Sequence, residues 1–458
     1  MALIWARGFS DGRALAPAWL ALSQAAARYE STPPEQVQQY AEAAIAERDA
    51  RRRYNGLVAE ATKALAAEAQ PLTHIMIVGV GRYDADPNIP AVTTSVNGAR
   101  KFAEWALTKF IKEDRPLGSI EFVCSTATGQ AEWAPSDAAG QCLGLRAQIN
   151  AFPAEPATFQ NIKTAFESWL ARAGTKLENA AIWYFAGHGL FKSEAIIMAQ
   201  DSRLPTEDIP GANLIAPTQT LYRLQSRKPS VQCFFVDACS EYNAYVINNP
   251  VEVPGEALCG ANNGPAIPNR DATIYFGSYA GGKAYGPAND APYFTQELIA
   301  CLTKRAGDPT YEGSQVTLSS LSQALKAAAS YRAEIEKNDG ISFAETKPGV
   351  IGGSGVLCDL IGPQEIIVQV RCLPKDVMTR AKLYMTDASN GTRIDRAKPL
   401  GGFWYTIVAP GKWAANADLD NATYVCSANP FEPKPPVFDA MIKTQAAILA
   451  GKPRGTKT

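Results

Sequence analysis

The sequence predicts an α/β protein: a mostly parallel sheet flanked by helices, with a helical extension before it and a small all-β domain after it. Two features of the middle of the chain point there. Runs such as His74–Gly81 and Val231–Ala238 are mostly hydrophobic at successive positions rather than alternating, as in strands covered on both faces. They alternate with segments of helical period, the pattern of helices packed on a parallel sheet. A third feature lies further on: beyond about Glu365, strand candidates follow one another with no helical period between them.

Residues 1–71 form the extension. The stretch is rich in Ala, Gln, Glu and Arg, and Val37, Tyr40 and Ala44, then Tyr54, Leu57, Ala61 and Leu65, recur at helical spacing. Thr32-Pro33-Pro34-Glu35 has the form of a helix start, with a hydroxyl cap, an early Pro and Glu three residues later. One long helix or two is expected, serving as packing or as an arm for a partner.

Residues 72–355 form the main domain. Strands are expected at His74–Gly81, Ser119–Cys124, up to Ala186 before His188, Glu194–Ala199, up to Ala238 before Cys239, and Ala272–Tyr279. Helices are expected at Val96–Ile111, Phe159–Ala173, Gln219–Gln225, Pro292–Lys304 and Leu318–Arg332, with a strand and glycine turn over Ile341–Gly355. The Pro- and Gly-rich stretch 243–270 is too long for an idle loop in a compact domain and is read as regulatory.

Residues 362–435 should make a small β-sandwich from Ile366–Arg371, Ala381–Met385, Phe403–Val408 and Ala422–Cys426. A terminal helix near Val437–Leu449 and a basic tail complete 436–458.

Bulk composition excludes several classes. With 44 Lys+Arg against 45 Asp+Glu, the chain has a net charge of −1 and no basic field for nucleic acid. No run of about 18 apolar residues occurs, and the apolar start is too short for a signal sequence, so no membrane partner and a cytoplasmic location are expected. Nine cysteines without Cys-x-x-Cys spacing suggest reduced thiols and neither a disulfide framework nor a metal site.

The chemistry concentrates at two strand ends. One of only two histidines, His188, closes the apolar run Trp183–Ala186 between Gly187 and Gly189, and Cys239 closes the run that begins at Val231. If these strands are parallel neighbours, their carboxyl ends coincide, where open α/β sheets place ligands. His188 and Cys239 are then a base and a thiol nucleophile. Asp237, two residues before Cys239, points to the same side of its strand.

This chain resembles the caspase-like cysteine peptidases, including their bacterial metacaspase-like or orthocaspase-like branch. The resemblance covers roughly residues 72–335. It rests on the opening strand followed by Ser95-Val96-Asn97-Gly98-Ala99, on Gly187-His188-Gly189, on Asp237-Ala238-Cys239-Ser240, and on Ile274–Tyr279 followed by Phe294–Leu298. The resemblance implies an endopeptidase with a Cys239–His188 dyad and an oxyanion site made by the backbone N–H groups of Gly189 and Cys239. It also implies Asp237 as the acid that binds a basic P1 side chain, with a structural carboxylate that caps a nearby loop as the alternative. Asp84, Asp86, Ser278 and Tyr279 lie at the same predicted edge and join the substrate-binding candidates, with a turn role as the alternative for the two Asp residues.

The departures from the family pattern are specific. Ser240-Glu241 stands where many members have His-Ser or Arg-Gly. Gly98 stands where the metacaspase branch often has an Asp that helps to bind P1. Arg82 and Arg100 leave an acidic P1 as the alternative specificity.

No cofactor is required for this chemistry, and calcium or a small-molecule activator is in keeping with the family. Expected partners are a protein or peptide substrate and a sensor or activator protein or nucleotide signal, as in a regulated peptidase of bacterial defence or cell death. Two other classes share these residues: an acyltransferase using the same dyad, and a catalytically silent scaffold presenting its helical arm and β domain.

Overall fold

The computed structural model describes residues 3–7, 14–126, 132–143, 152–205, 211–224, 226–240, 255–260, 270–346, 355–396, 403–419, 422–425 and 430–443. The chain separates into two compact units. The first comprises 1–299 with 344–357, the second 300–343 with 358–458.

The first unit is built on a seven-stranded sheet. Its strands are β1 (Leu3–Ala6), β2 (Thr73–Val80), β3 (Leu117–Ser125), β4 (Ala180–Ala186), β5 (Val231–Asp237), β6 (Asp271–Phe276) and β7 (Ala344–Thr346), in the order β1-β3-β2-β4-β5-β6-β7. The strands from β3 to β6 run parallel, while β1 and β7 close the edges antiparallel. Every residue of β2, β4 and β5 is buried, which is why their sequences do not alternate.

Both faces are covered by helices. On one, α4 (Phe159–Ala173) packs Ile162, Phe166 and Trp169 into a cluster with Trp183, Phe185, Phe234 and Val236. On the other, α3 (Thr93–Thr108) lays Phe102 on the ring of Tyr184, with centroids 4.5 Å apart. The alternation of strand side chains thus divides Trp183 and Phe185 from Tyr184. A buried ion pair locks α4 to the sheet: Arg172 donates to Glu121, to Ser168 at 2.9 Å and to Ser119 at 3.1 Å. His74 joins it through Ser119 at 2.8 Å, and burial, with Arg172 nearby, lowers its pKa to about 3.

The extension consists of two helices, α1 (Leu15–Ser31) and α2 (Val37–Ala67), preceded by β1, which the helical expectation for 1–71 did not include. Thr32 is not an N-cap. Its hydroxyl donates to the Arg28 carbonyl at 2.7 Å and ends α1, while Pro33 and Pro34 form the turn before α2. The cap motif marked a helix boundary, and proline stiffness placed it at the end of one helix rather than the start of the next.

The second unit is a sandwich. One sheet has the order Trp404–Val408, Ile366–Leu373, Val437–Lys443, and the other Arg393–Asp395, Lys382–Asp387, Trp413–Leu419, Ala422–Val425. Alternating residues of both sheets, among them Val368, Val370, Met385, Ala415 and Ile442, share one core.

Three expectations are corrected here. Val437–Lys443 is a strand paired parallel with Ile366–Leu373, not a terminal helix, and its alternate residues Ala440 and Ile442 are the buried ones; residues 444–458 lie outside the described residues. Trp413–Leu419, low in β-formers, is a strand that the sequence reading did not include, held between two partners. Helix α5 (Leu318–Glu336), expected within 72–355, belongs to the second unit. Glu334 anchors it there through Arg396 at 2.9 Å and the Tyr405 N–H at 3.3 Å.

Among the described residues, no helix is long and apolar enough to cross a membrane.

Candidate active site

The register of two parallel strands builds the site. Ala186 of β4 is paired with Asp237 of β5. His188 lies two residues beyond the first and Cys239 two residues beyond the second, so both leave the sheet at the same edge and height. The N–H of Gly187 donates to the Asp237 carbonyl at 3.2 Å, which continues the strand contact into the loops. Gly189 follows, and a Cβ there would stand 2.6 Å from the Cys239 carbonyl oxygen. Only glycine fits so close a backbone approach.

His188 is held on three sides. Its Nε2–H donates to the Pro90 carbonyl at 2.9 Å, which leaves Nδ1 as the nitrogen able to take a proton. Its backbone N–H donates to the Tyr83 hydroxyl at 2.5 Å, and the two rings lie 4.9 Å apart, centre to centre. Its carbonyl accepts from Met198 at 3.1 Å. Burial raises the Tyr83 hydroxyl above the ordinary tyrosine range, the His188 N–H works against this, and the nearby Cys239 adds to it, so Tyr83 stays a neutral phenol.

Pro90 is delivered by a turn. Asp86 accepts from the Asn88 backbone and side chain at 3.0 and 3.1 Å, and the Val92 N–H closes the loop on the Gly81 carbonyl at 2.8 Å. Asp84 accepts from Gln200 and faces Arg82 at 3.4 Å. Asp84 and Asp86 are thus both engaged in shaping this loop. Arg100 lies close enough to act on the Cys124 thiol of β3, which two strands separate from β5.

Cys239 is half-buried, whereas Cys233 of β5 is fully buried; none of the described cysteines is in a disulfide. The Cys239 Sγ accepts from the Ala284 N–H at 3.3 Å. The segment carrying Ala284 is tied back to the chain beside Cys239, since the Ser240 N–H donates to the Gly282 carbonyl at 2.9 Å and the Gly281 N–H donates to the Ser240 carbonyl at 2.7 Å.

Asp237 is 2% exposed. Its Oδ2 accepts from the Thr295 hydroxyl, which is also bonded to Tyr184, while its Oδ1 has no hydrogen-bond partner. Burial pushes its pKa up to about 7, and the Thr295 hydroxyl and N–H act in the opposite direction. A Cβ on Gly98 would lie 2.6 Å from the Tyr184 hydroxyl and 3.4 Å from the Thr295 hydroxyl. Tyr184 therefore fills the space into which a side chain at position 98 would project.

Ser278 is buried and donates to the Ala238 carbonyl at 2.9 Å, whereas Tyr279 is 51% exposed. Ser278 and Ser240 line a cavity of about 400 Å³ with Phe191, Glu194 and Phe276. Among the described residues, no group of three or more His, Cys, Asp or Glu side chains comes together to hold a metal.

Pro90, Tyr83, Ala284, Thr295 and Tyr184 escaped the sequence reading as site residues. Two of them act through backbone atoms, which carry no residue signature. Tyr83 and Pro90 do stand inside a recognisable turn; Thr295 and Tyr184 read only as helix and strand interior.

Residues 141–338 match the family model described as the caspase domain. An uncharacterised protein of Sinorhizobium fredii (strain NBRC 101917 / NGR234), y4kE, is 26% identical over 322 residues, covering 69% of this chain and 86% of its own. Caspase-1 from Spodoptera frugiperda aligns with 64% of this chain and 90% of its own at 10% identity and a TM-score of 0.35.

Proposed function

The chain carries a caspase-like domain, and we propose that it is a cysteine endopeptidase in which Cys239 attacks the scissile carbonyl and His188 manages the proton. The observation that supports this reading is the Ala186–Asp237 register, since His188 and Cys239 each follow two residues beyond one of the paired positions, at one edge of the sheet.

His188 Nδ1 takes the thiol proton, since Nε2 is committed to Pro90, and the Ala284 N–H stabilises charge on sulfur. Attack forms an S–C bond and moves the carbonyl electrons onto oxygen, where the N–H groups of Gly189 and Cys239 receive it. His188 returns its proton to the departing amine as the C–N bond breaks. Water, deprotonated by His188, then releases the acyl group and frees the thiol.

A basic P1 residue is the specificity best supported. The unpaired Oδ1 of Asp237 is a buried acceptor two residues from the nucleophile, and a guanidinium or ammonium would satisfy it. Asp84 and Asp86 are committed to their turn, so Asp237 acts without a companion acid. An acidic P1 loses its support, because Arg82 faces Asp84 and Arg100 neighbours Cys124. Control by a sensor or small-molecule signal, in a defence or cell-death pathway, is the setting that the family resemblance suggests.

The experiment is hydrolysis of a peptide library by wild-type, Cys239→Ala and His188→Ala proteins. Either substitution should cost on the order of 10³-fold or more in rate, and Asp237→Ala should weaken selection for Arg and Lys at P1. Hydrolysis by Cys239→Ala at the wild-type rate would overturn the assignment, and a library dominated by P1 Asp would overturn the specificity.

A further inference from the structure

The two oxygens of Asp237 differ in what they can still accept. Oδ2 takes the Thr295 hydroxyl, whereas Oδ1 is buried without a hydrogen-bond partner. Thr295 stands in the first turn of the helix Tyr293–Ala300, where backbone N–H groups lack an intrahelical acceptor, and its N–H also acts on this carboxyl. Since Oδ1 has no partner, both groups of Thr295 bear on Oδ2.

A hydroxyl has one proton to give. That of Thr295 goes to Asp237, so the Tyr184 hydroxyl, 2.5 Å away, donates to Thr295 in turn. Thr295 and Tyr184 are both fully buried, and the Tyr184 ring is fixed by its stacking on Phe102. The series Tyr184, Thr295, Asp237 therefore runs in one direction, in surroundings where each hydrogen bond strengthens the next.

Oδ1 is closely walled. A Cβ on Gly277 would stand 2.8 Å from it and 3.2 Å from the Phe294 Cβ, so glycine at 277 keeps open a narrow space beside that oxygen. A guanidinium reaches its full strength on a carboxylate through two parallel N–H···O bonds, one to each oxygen, whereas an ammonium is a compact charge that needs only one. We propose that the Tyr184–Thr295 pair, by engaging Oδ2, leaves Asp237 a one-oxygen receptor that selects Lys over Arg at P1. This selection rests on the endopeptidase reading with a basic P1. Thr295 is a positioning residue in it, acting on the substrate through Asp237.

The test compares kcat/KM of the full-length protein on peptides identical but for Lys, Arg or norleucine at P1. Wild type should prefer Lys to Arg about tenfold, the cost of one unmet donor on a charged group, and should take both ahead of norleucine. Thr295→Val keeps the side-chain shape and removes the hydroxyl, so it should bring the Lys:Arg ratio toward one, through a lower KM for the Arg peptide. Thr295→Ser should restore the wild-type ratio, and Tyr184→Phe should shift it in the same direction as Thr295→Val. Where Thr295→Val does not fold, the wild-type ratio and Tyr184→Phe decide. Equal use of Lys and Arg by wild type, with both ahead of norleucine, would keep the basic P1 and overturn this selection. A preference for Arg, or a ratio that neither variant moves, would overturn it as well. Hydrolysis of none of the three peptides would overturn the peptidase reading and this selection with it.

Discussion

His188 donates from Nε2 to the carbonyl oxygen of Pro90 at 2.9 Å, so a backbone group sets the orientation of its ring. A carbonyl fixes the tautomer as an Asp would, without adding a charge that tightens the proton on the imidazolium. Tyr83 fixes the remaining freedom of the ring and of the His188 backbone.

Tyr83→Phe keeps the ring contact and removes only the acceptor of the His188 N–H. Leaving that donor unpaired costs about 1–3 kcal/mol, so kcat should fall about tenfold, equivalent to about 1.4 kcal/mol, with KM near its original value. Steady-state kinetics on a peptide substrate read this split. A folded Tyr83→Phe protein with unchanged kcat would remove Tyr83 from the positioning of His188.

Asp237 should make stability depend on pH. Its carboxyl titrates near 7 when folded against an ordinary value of 3.8, so the folded state holds the proton more tightly. A raised pKa contributes its stability fully below the unfolded value and loses it as pH rises through the folded one. Stability attributable to this group therefore falls between about pH 4 and 7 and levels off above, by a total on the order of 4 kcal/mol. Urea unfolding of wild type and Asp237→Asn across pH 4–9 isolates it. The variant should gain on wild type as pH rises to about 7, and parallel curves would show that Asp237 is not perturbed.

The Arg172–Glu121 pair should be destabilising to break singly and cheap to remove together. Both side chains are almost completely buried, at 1% and 0% exposure. Glu121→Gln leaves a buried guanidinium unpaired at a cost of about 3–5 kcal/mol. Arg172→Met with Glu121→Leu should recover most of that loss. Denaturation midpoints of the two proteins decide it, and a harmless Glu121→Gln would refute the pairing.

The connection between β5 and β6 should remain uncut in the active enzyme. Residues 243–254 and 261–269 of the expected regulatory loop lie outside the described residues, but its middle is anchored. Glu256 exchanges backbone bonds with Leu214 and Ala216 at 2.7 and 3.0 Å, and Leu258 is fully buried. No Lys or Arg occurs between Glu241 and Asn269, so an enzyme that cuts after basic residues has nothing to cut there. Mass analysis of fully active protein should find the intact chain. Activity that appears only with fragments split between Ser240 and Ala272 would favour processing instead.

The sequence alone determined the parallel sheet, because strands buried on both faces carry apolar residues at successive rather than alternate positions, as over Ile75–Val78, Ala180–Ala186 and Cys233–Val236. It also marked His188 and Cys239, because a glycine-flanked imidazole and a thiol each ended such a strand. Local signals failed where a neighbour decided the outcome. Val437–Lys443 became a strand because Ile366–Leu373 offered it an edge, and α5 joined the second unit because Glu334 found Arg396. Only the tertiary structure brought the Pro90 carbonyl to His188, the Ala284 N–H to Cys239 and the Tyr184 hydroxyl beside Gly98. Those contacts join residues tens of positions apart, two of them through backbone atoms that every residue possesses. Residue type records which chemistry is available, whereas packing and register fix which groups meet.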